Sequence, residues 1–238
     1  MHSCRVGEKA KVKGGKVNQM IIAIDGPAGV GKSTVAKLLA ARLGYLYLDT
    51  GALYRAVAWN VLHHRVDPAG SQAVESLLPG TSIQMLFQNG SVEVLVNGKN
   101  ITDELRTPAV SAAASIVSAI PAVRAWLLPV QRQIGSAGAV VAEGRDIGTK
   151  VFPQADVKFF LEADADVRTQ RRHRELVAAG HTGALEQTNA DMIGRDTRDR
   201  TRAIAPLVAA EDALHIDTSA LTVEAVVDHM MAVITAKL

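Results

Sequence analysis

Cysteine is almost absent from this chain of 238 residues. Cys4 stands alone, so neither an internal disulfide nor a cysteine-based zinc site can form. No run approaches the roughly 20 uncharged apolar residues of a membrane-crossing helix, and no apolar leader lies near the start. The expectation is a protein of the reducing cytoplasm without a membrane partner. Internal repeats and low-complexity tracts are missing too. Apolar residues make up 48%, enough for a sizeable core, and charged residues 21%, too ordinary a balance for wholesale disorder. The length suits one large domain, or one core with insertions, better than a string of modules.

The net charge of +2 conceals an asymmetry. Residues 1–19 hold Arg5, Lys9, Lys11, Lys13 and Lys16 against Glu8 alone, so this stretch carries +4 and the rest of the chain −2. The basic balance belongs to the tail, which argues against a nucleic-acid-binding body. The tail itself reads as a disordered basic segment, with a nucleic-acid-binding arm as the alternative.

From Met20 onward, strand-like and helix-like segments alternate, the pattern of an α/β fold with a parallel sheet flanked by helices. Residues 20–24, 138–142, 157–161 and 213–217 are short apolar runs, and about five core strands are expected. Thr34–Leu43 and Val223–Ala236 show helical spacing. Pro129 lies in an apparent helix and predicts a kink or break there. His63-His64 reads as a helix end, not a metal site. Two segments interrupt the alternation. In 81–102, Ile83–Phe87 and Val92–Val96 flank Asn89-Gly90, and Asn97-Gly98 follows. Asn-Gly between alternating apolar residues predicts tight hairpins, hence a small inserted antiparallel sheet. In 165–202 all eight basic residues are arginine, half of the sixteen in the chain.

The chemistry begins with Gly26, Pro27, Ala28, Gly29, Val30, Gly31, Lys32 and Ser33, which fit G-x-x-x-x-G-K-[ST] with Thr34 following. An apolar run precedes them and an amphipathic helix follows, the context of a phosphate-binding loop. Glycines let the backbone wrap a phosphate with N–H groups pointing inward, at the positive end of the next helix. Lys32 can reach the β- and γ-phosphates of a nucleotide, and Ser33 can ligate Mg²⁺. This predicts binding of Mg·ATP. Such a loop serves switches, motors and kinases alike, but the guanine-reading N-K-x-D is absent.

Three further segments carry anion-binding groups. In Leu48–Arg55, Asp49 or Thr50 can cap a helix whose start bears Tyr54 and Arg55, a receptor for a second phosphate or a plain capped helix. Glu143-Gly-Arg145-Asp146-Ile-Gly148 follows an apolar run, where open α/β sheets bind ligands, or else forms a surface loop with an internal ion pair. Arg195, Arg198, Asp199 and Arg202 share a helix face by spacing. They suit a phosphate clamp with a ribose-binding aspartate, or a solvated salt-bridged face.

Taken together, IDGPAGVGKST (24–34), LDTGALYR (48–55), EGRDIGT (143–149) and RDTRDRTRAIAP (195–206) resemble the bacterial cytidylate kinase family of nucleoside monophosphate kinases. The resemblance runs from Met20 to the C-terminus. It implies a P-loop kinase core with a monophosphate-binding insertion at about 64–105 and an arginine-rich lid at about 165–202. It implies ATP-dependent phosphorylation of CMP, and of dCMP, by a monomer in pyrimidine nucleotide metabolism. By the same resemblance Ser115, Arg124 and Asp146 read the cytosine edge. Thr50, Tyr54, Arg55, Arg145 and Arg202 surround the acceptor phosphate, and Arg195 and Asp199 lie near phosphate and ribose. Lys32, Arg145, Asp146, Arg195 and Arg202 form the catalytic set, with Asp25 and Asp146 as outer-shell partners of the metal. The family often has serine where this chain has Thr50, and the hydroxyl survives. Some members have aspartate in place of Glu143, and residues 176–194 fit the pattern poorly. UMP, AMP or shikimate as acceptor, or a nucleotide-dependent regulator using the basic tail, are the alternatives.

Overall fold

A computed structural model describes residues 19–88 and 91–237. The expected basic tail, apart from Gln19, and the Asn89-Gly90 turn lie outside the described residues. The chain divides into two units, one of residues 48–137 and one of residues 19–47 with 138–237.

The second unit is built on strands that read as continuous apolar runs because both faces are covered. They are β1 (Ile21–Asp25), β6 (Val140–Gly144), β7 (Val157–Glu162) and β8 (Leu214–Asp217), and with β2 (Leu46–Asp49), which crosses the unit boundary after residue 47, the order is β2-β6-β1-β7-β8. β1 sits centrally and runs parallel to β6 and β7, with Ile22 opposite both Val141 and Val157. Each strand is off by a residue or two from its apolar run. β1, for instance, extends to Asp25, which pairs with Gly144 and Phe160 although its side chain is charged. Backbone pairing, not hydropathy, sets a strand's end. β2 has no long apolar run of its own and was the strand the pattern left unplaced.

Helix α1 (Lys32–Leu43) starts two residues before its apolar spacing does, because Gly31 in the left-handed conformation caps it. With α8 (Val223–Thr235), it packs Val35, Leu39, Val227, Met230 and Ile234 onto Ile22, Ile24, Phe159 and Leu161. The hydroxyl of Thr222 caps α8 at Ala225 N. α6 (Ala165–Ala178) and α7 (Leu185–Thr201) pack together as a helical hairpin.

In the first unit, α2 (Thr50–His63) packs along α4 (Pro108–Val117) and touches α5 (Pro121–Gly135). α3 (Ser71–Leu77) precedes the antiparallel sheet of β3 (Ile83–Gln88), β4 (Ser91–Val96) and β5 (Lys99–Asn100). The β3–β4 register sets Ile83 opposite Val96 and Met85 opposite Val94, and all four are buried on one face, as the alternation requires. Of the kink or break expected at Pro129, the break does not occur, and helix α5 continues through it. Pro129 is exposed, and so is Ala125 four residues earlier, so the carbonyl that loses its helical partner sits on the exposed face. His63 ends α2, with its ring stacked on Trp59 at 4.6 Å. Among the described residues no single helix is long and apolar enough to cross a membrane.

The β4–β5 turn gives a direct test of turn chemistry. Val96 pairs with Lys99, leaving Asn97 (φ 49°) and Gly98 (φ 81°) as its two central residues, both left-handed as a type I′ turn demands. A Cβ at Gly98 would meet nothing within 4 Å, so the cost of Gly98→Ala is purely conformational. It should destabilise by about 1 kcal/mol, lowering Tm by about 2–4 °C in a scanning calorimeter, without loss of turnover.

Candidate active site

The glycine-rich loop joins β1 to α1 and is held by its surroundings. Gly26 has φ 147°, and a Cβ there would stand 2.3 Å from the Leu161 carbonyl oxygen, so no other residue fits. At Gly31 space is open, but φ is 90°, a conformation that favours glycine. Lys32 is buried, and its Nζ donates to the Pro27 carbonyl. The ammonium is pushed well below its ordinary pKa, chiefly by burial and then by the Arg145 guanidinium, with Arg195 adding to it. Glu143 and Asp25 pull the other way without cancelling it. A loop end where three cations crowd each other in a dry setting is one that an anion relieves.

Arg145 and Asp146 lie between the end of β6 and a turn of π-helical geometry at Ile147–Val151. Arg145 Nε donates to Asp199 Oδ2 at 2.9 Å, and Nη1 donates to the Gly144 carbonyl at 3.1 Å. Asp199 comes from α7, and Arg202 caps that helix. Arg202 Nη1 lies 3.8 Å from Asp199 Oδ1, and its Nη2 donates to Asp146 Oδ1 at 3.5 Å. Arg202 Nε donates to the Ala205 carbonyl at 2.6 Å. Burial alone would raise the Asp199 carboxyl, but Arg145, Arg195 and Arg202 outweigh it and hold the group below its usual range. Burial likewise works against the Arg145 charge, and Asp199 more than restores it. Glu143, buried at the end of β6, accepts from the Tyr47 hydroxyl.

The predicted face of α7 is narrower than spacing suggested. Arg195 and Asp199 converge with Arg202, whereas Arg198 is exposed. At about 100° per residue, 195, 199 and 202 cluster within about 60°, and 198 falls about 60° from 195 on the outer flank. The other arginines of 165–202 divide by environment. Arg168 Nη1 donates to the Ala28 carbonyl at 3.2 Å and pairs with Asp196. Arg171 binds Thr218. Arg172 pairs with Glu175 and Arg174 returns to the Gln170 carbonyl.

In the first unit, Asp49 caps α2, with Oδ1 accepting from Ala52 N at 3.0 Å, and Thr50 is the first helical residue. Of the two candidate caps, Asp49 takes the role. Its Oδ2 also accepts from Arg55 Nη2 at 2.6 Å and from Arg106 Nη2 at 3.3 Å. Arg55 Nε is buried with no hydrogen-bond partner, a donor prepared for an anion. The Arg124 guanidinium lies 5.4 Å from the Tyr54 ring centroid. Arg124 Nη1 donates to the Ser118 carbonyl at 3.2 Å, and the Ser118 hydroxyl donates to the Ser115 carbonyl at 3.0 Å, so Ser115 and Arg124 belong to one buried chain.

Among the described residues no group of three or more His, Cys, Asp or Glu could hold a metal ion. Ser33, half-buried on the first turn of α1, offers a single hydroxyl.

Asp25 does more than its sequence position suggested. Its Oδ1 accepts from Ile147 N and its Oδ2 from Gly148 N, both at 2.8 Å. The strand that leads into the loop thereby grips the turn that follows Arg145-Asp146. Burial raises the Asp25 pKa from 3.8 to about 6, although both backbone donors oppose the shift. A raised pKa means that the folded chain binds the proton more tightly than the unfolded chain. The resulting stability is complete below pH of about 4 and is lost as pH rises through about 6, a swing of about 3 kcal/mol at about 1.4 per pKa unit. Denaturant unfolding of wild type and Asp25→Asn across this range should show the wild type losing about 2–3 kcal/mol relative to the variant. A constant difference would mean that Asp25 does not titrate there.

Comparison with known proteins agrees with this geometry. A family model described as cytidylate kinase matches residues 22–236. The bifunctional pantoate ligase/cytidylate kinase of Synechococcus sp. (strain WH7803) is 50% identical over 210 residues, covering 87% of this chain and 43% of that protein. This chain thus spans less than half the length of that relative. The cytidylate kinase of Carboxydothermus hydrogenoformans is 46% identical over 218 residues, covering 92% of this chain and 98% of that one. That of Geobacter sulfurreducens is 46% identical over 215 residues, with 90% and 92% covered. An uncharacterized protein from Eubacterium ventriosum superposes with a TM-score of 0.51 at 16% identity over 92% of this chain and 99% of that one, a likeness of fold alone. On the match to the family model and on these relatives, the chain belongs to the cytidylate kinase family.

Proposed function

We propose that the protein transfers the γ-phosphoryl group of ATP to CMP, giving ADP and CDP, with dCMP as a second acceptor. The observation that carries this reading is the buried positive charge at the end of the glycine loop, where Lys32, Arg145 and Arg195 crowd together. Phosphoryl transfer asks little covalent work of a protein and much electrostatic work. An oxygen of the CMP phosphate attacks the γ-phosphorus, the bond to the β-bridging oxygen breaks, and ADP leaves with the electron pair. No general base is needed, because the attacking oxygen is already anionic. Residues 26–34 cradle ATP, and Lys32, freed from the Pro27 carbonyl, follows the charge of the moving group.

By the family resemblance, Arg145, Arg195 and Arg202 serve as phosphate ligands, Asp199 as a ribose partner and Asp146 as the reader of the cytosine amine. The same resemblance gives Thr50, Tyr54 and Arg55 to the acceptor phosphate, and Ser115 and Arg124 to the base. The unpartnered Arg55 Nε supports the phosphate role. A lone Ser33 hydroxyl without a carboxylate cluster fits Mg²⁺, which keeps its waters and binds mainly through nucleotide phosphates. When bound, that ion neutralises charge on the β- and γ-phosphates. We read 64–105 as the monophosphate-binding insertion and 165–202 as a lid whose closure excludes water. The −2 balance beyond residue 19 argues against a nucleic-acid partner. A cytoplasmic monomer completes the reading.

An ADP-release assay over a panel of acceptors tests the reading. CMP and dCMP should lead, and CMP should exceed UMP by at least about tenfold in kcat/KM, because uracil turns a carbonyl toward the Asp146 carboxylate. Asp146→Asn offers an amide donor to that carbonyl, so the CMP-to-UMP ratio should fall. Total activity should fall as well, since Arg202 loses one of its two carboxylate partners and keeps only Asp199. Equal use of UMP and CMP by the wild type would overturn the cytosine assignment. An unchanged ratio in the variant would remove only Asp146 from that role.

A further inference from the structure

Thr218 follows the last residue of β8 and is buried, with its side chain aimed at the glycine loop. The hydroxyl is 3.0 Å from the Val30 carbonyl oxygen and 3.1 Å from the Glu162 carbonyl oxygen. It has one proton to give. The Glu162 carbonyl already accepts from Thr218 N at 2.8 Å, so Val30 has the greater need. Arg171, on α6, grips the same residue twice. Its Nη1 donates to the Thr218 hydroxyl at 3.0 Å and its Nη2 to the Thr218 carbonyl at 2.6 Å. The arginine occupies a hydroxyl lone pair, which leaves the proton for a carbonyl.

The consequence for phosphate binding follows from the planarity of the peptide. In a trans peptide the C=O of one residue and the N–H of the next point in opposite directions. A Val30 carbonyl held outward by Thr218 therefore turns Gly31 N–H to the other side. Two more carbonyls of the loop are engaged likewise, Pro27 by Lys32 and Ala28 by Arg168. The Lys32 contact must break when the lysine moves to a phosphate. The Thr218 contact involves no group that the proposed reaction needs, so it can persist throughout turnover.

We propose that Thr218, clamped by Arg171, is a positioning residue for nucleotide phosphate binding: its hydroxyl fixes the Val30 carbonyl so that Gly31 N–H faces the phosphates. Because Arg171 belongs to the helical hairpin, the same contact ties the root of α6 to the loop. The proposal rests on the reading of this loop as the ATP site.

Thr218→Val keeps the shape and removes the hydroxyl, stranding the buried Val30 carbonyl. Titrating ATP with magnesium chloride into the full chain without acceptor should show about a ten- to thirtyfold weaker Kd. In turnover, KM for ATP should rise in parallel while KM for CMP stays within about twofold. Thr218→Ser, which keeps the donor, should restore ATP affinity to within about threefold. Unchanged ATP affinity in folded Thr218→Val, equal losses for ATP and CMP, or no rescue by serine would each overturn the proposal. Should Thr218→Val fail to fold, Arg171→Gln decides, since loss of the clamp should weaken ATP about threefold and an unchanged Kd would count against the role. Failure of the wild type itself to bind ATP would overturn the nucleotide-site reading, and this proposal with it.

Discussion

Both oxygens of the Asp25 carboxylate are spent on backbone N–H groups of Ile147 and Gly148, and the order of the candidate site depends on that grip. β1 ends in the glycine loop, and β6 ends in Arg145 and Asp146. The two strands are neighbours in register, with Asp25 opposite Gly144. The sheet alone would leave the segment after β6 free to turn away. The carboxylate closes it into the turn at Ile147–Val151, so Arg145 comes close enough to Lys32 to depress its ammonium pKa. A buried carboxylate is costly, and its raised pKa records that cost. Its two amide donors are satisfied only there, and without it two buried N–H groups would lose their partners.

Charge in this unit is arranged around one carboxylate more than around any one arginine. Asp199 touches Arg145 and Arg202 and feels Arg195. It lets three guanidinium groups converge in a dry setting before any substrate arrives. An uncompensated cluster of this kind would expel its members to solvent or force one to neutralise. Lys32, which among the described residues makes no carboxylate contact and donates to the Pro27 carbonyl, is the member whose charge is weakened. The site thus keeps its arginines charged and leaves its lysine in want of an anion, which suits the role proposed for it.

Much of this was legible in the sequence because the chemistry lies in contiguous motifs. The glycine loop, Arg145-Asp146 and the Arg195–Arg202 segment are each recognisable from local pattern, and the second unit brings them together. Backbone effects were less legible. β2 escaped notice because it is four residues long and only Leu48 is fully buried. Helix α5 continues through Pro129 because helix tolerance for proline depends on exposure of the carbonyl four residues back, which sequence does not give. Arg198 was included with Arg195 because three-residue and four-residue spacings look alike on paper, yet they differ by a hundred degrees around a helix. The hydroxyl of Thr218 left one signal, its place just after an apolar run at the carboxyl end of a strand.

Composition alone makes the arginines of 165–202 look interchangeable, but the structure gives them different work. Arg195 and Arg202 meet Asp199, whereas Arg168 and Arg171 reach back to carbonyl and hydroxyl groups that brace the glycine loop. Arginine suits both tasks because its fork presents several fixed donors, so one side chain can satisfy two acceptors at once. Arg171 does so on Thr218 alone. A lysine there would supply a charge without the two-point geometry. The preference for arginine throughout this segment therefore has a mechanical component as well as an electrostatic one. The hairpin that carries Arg195 is fastened by the same residue type to the glycine loop.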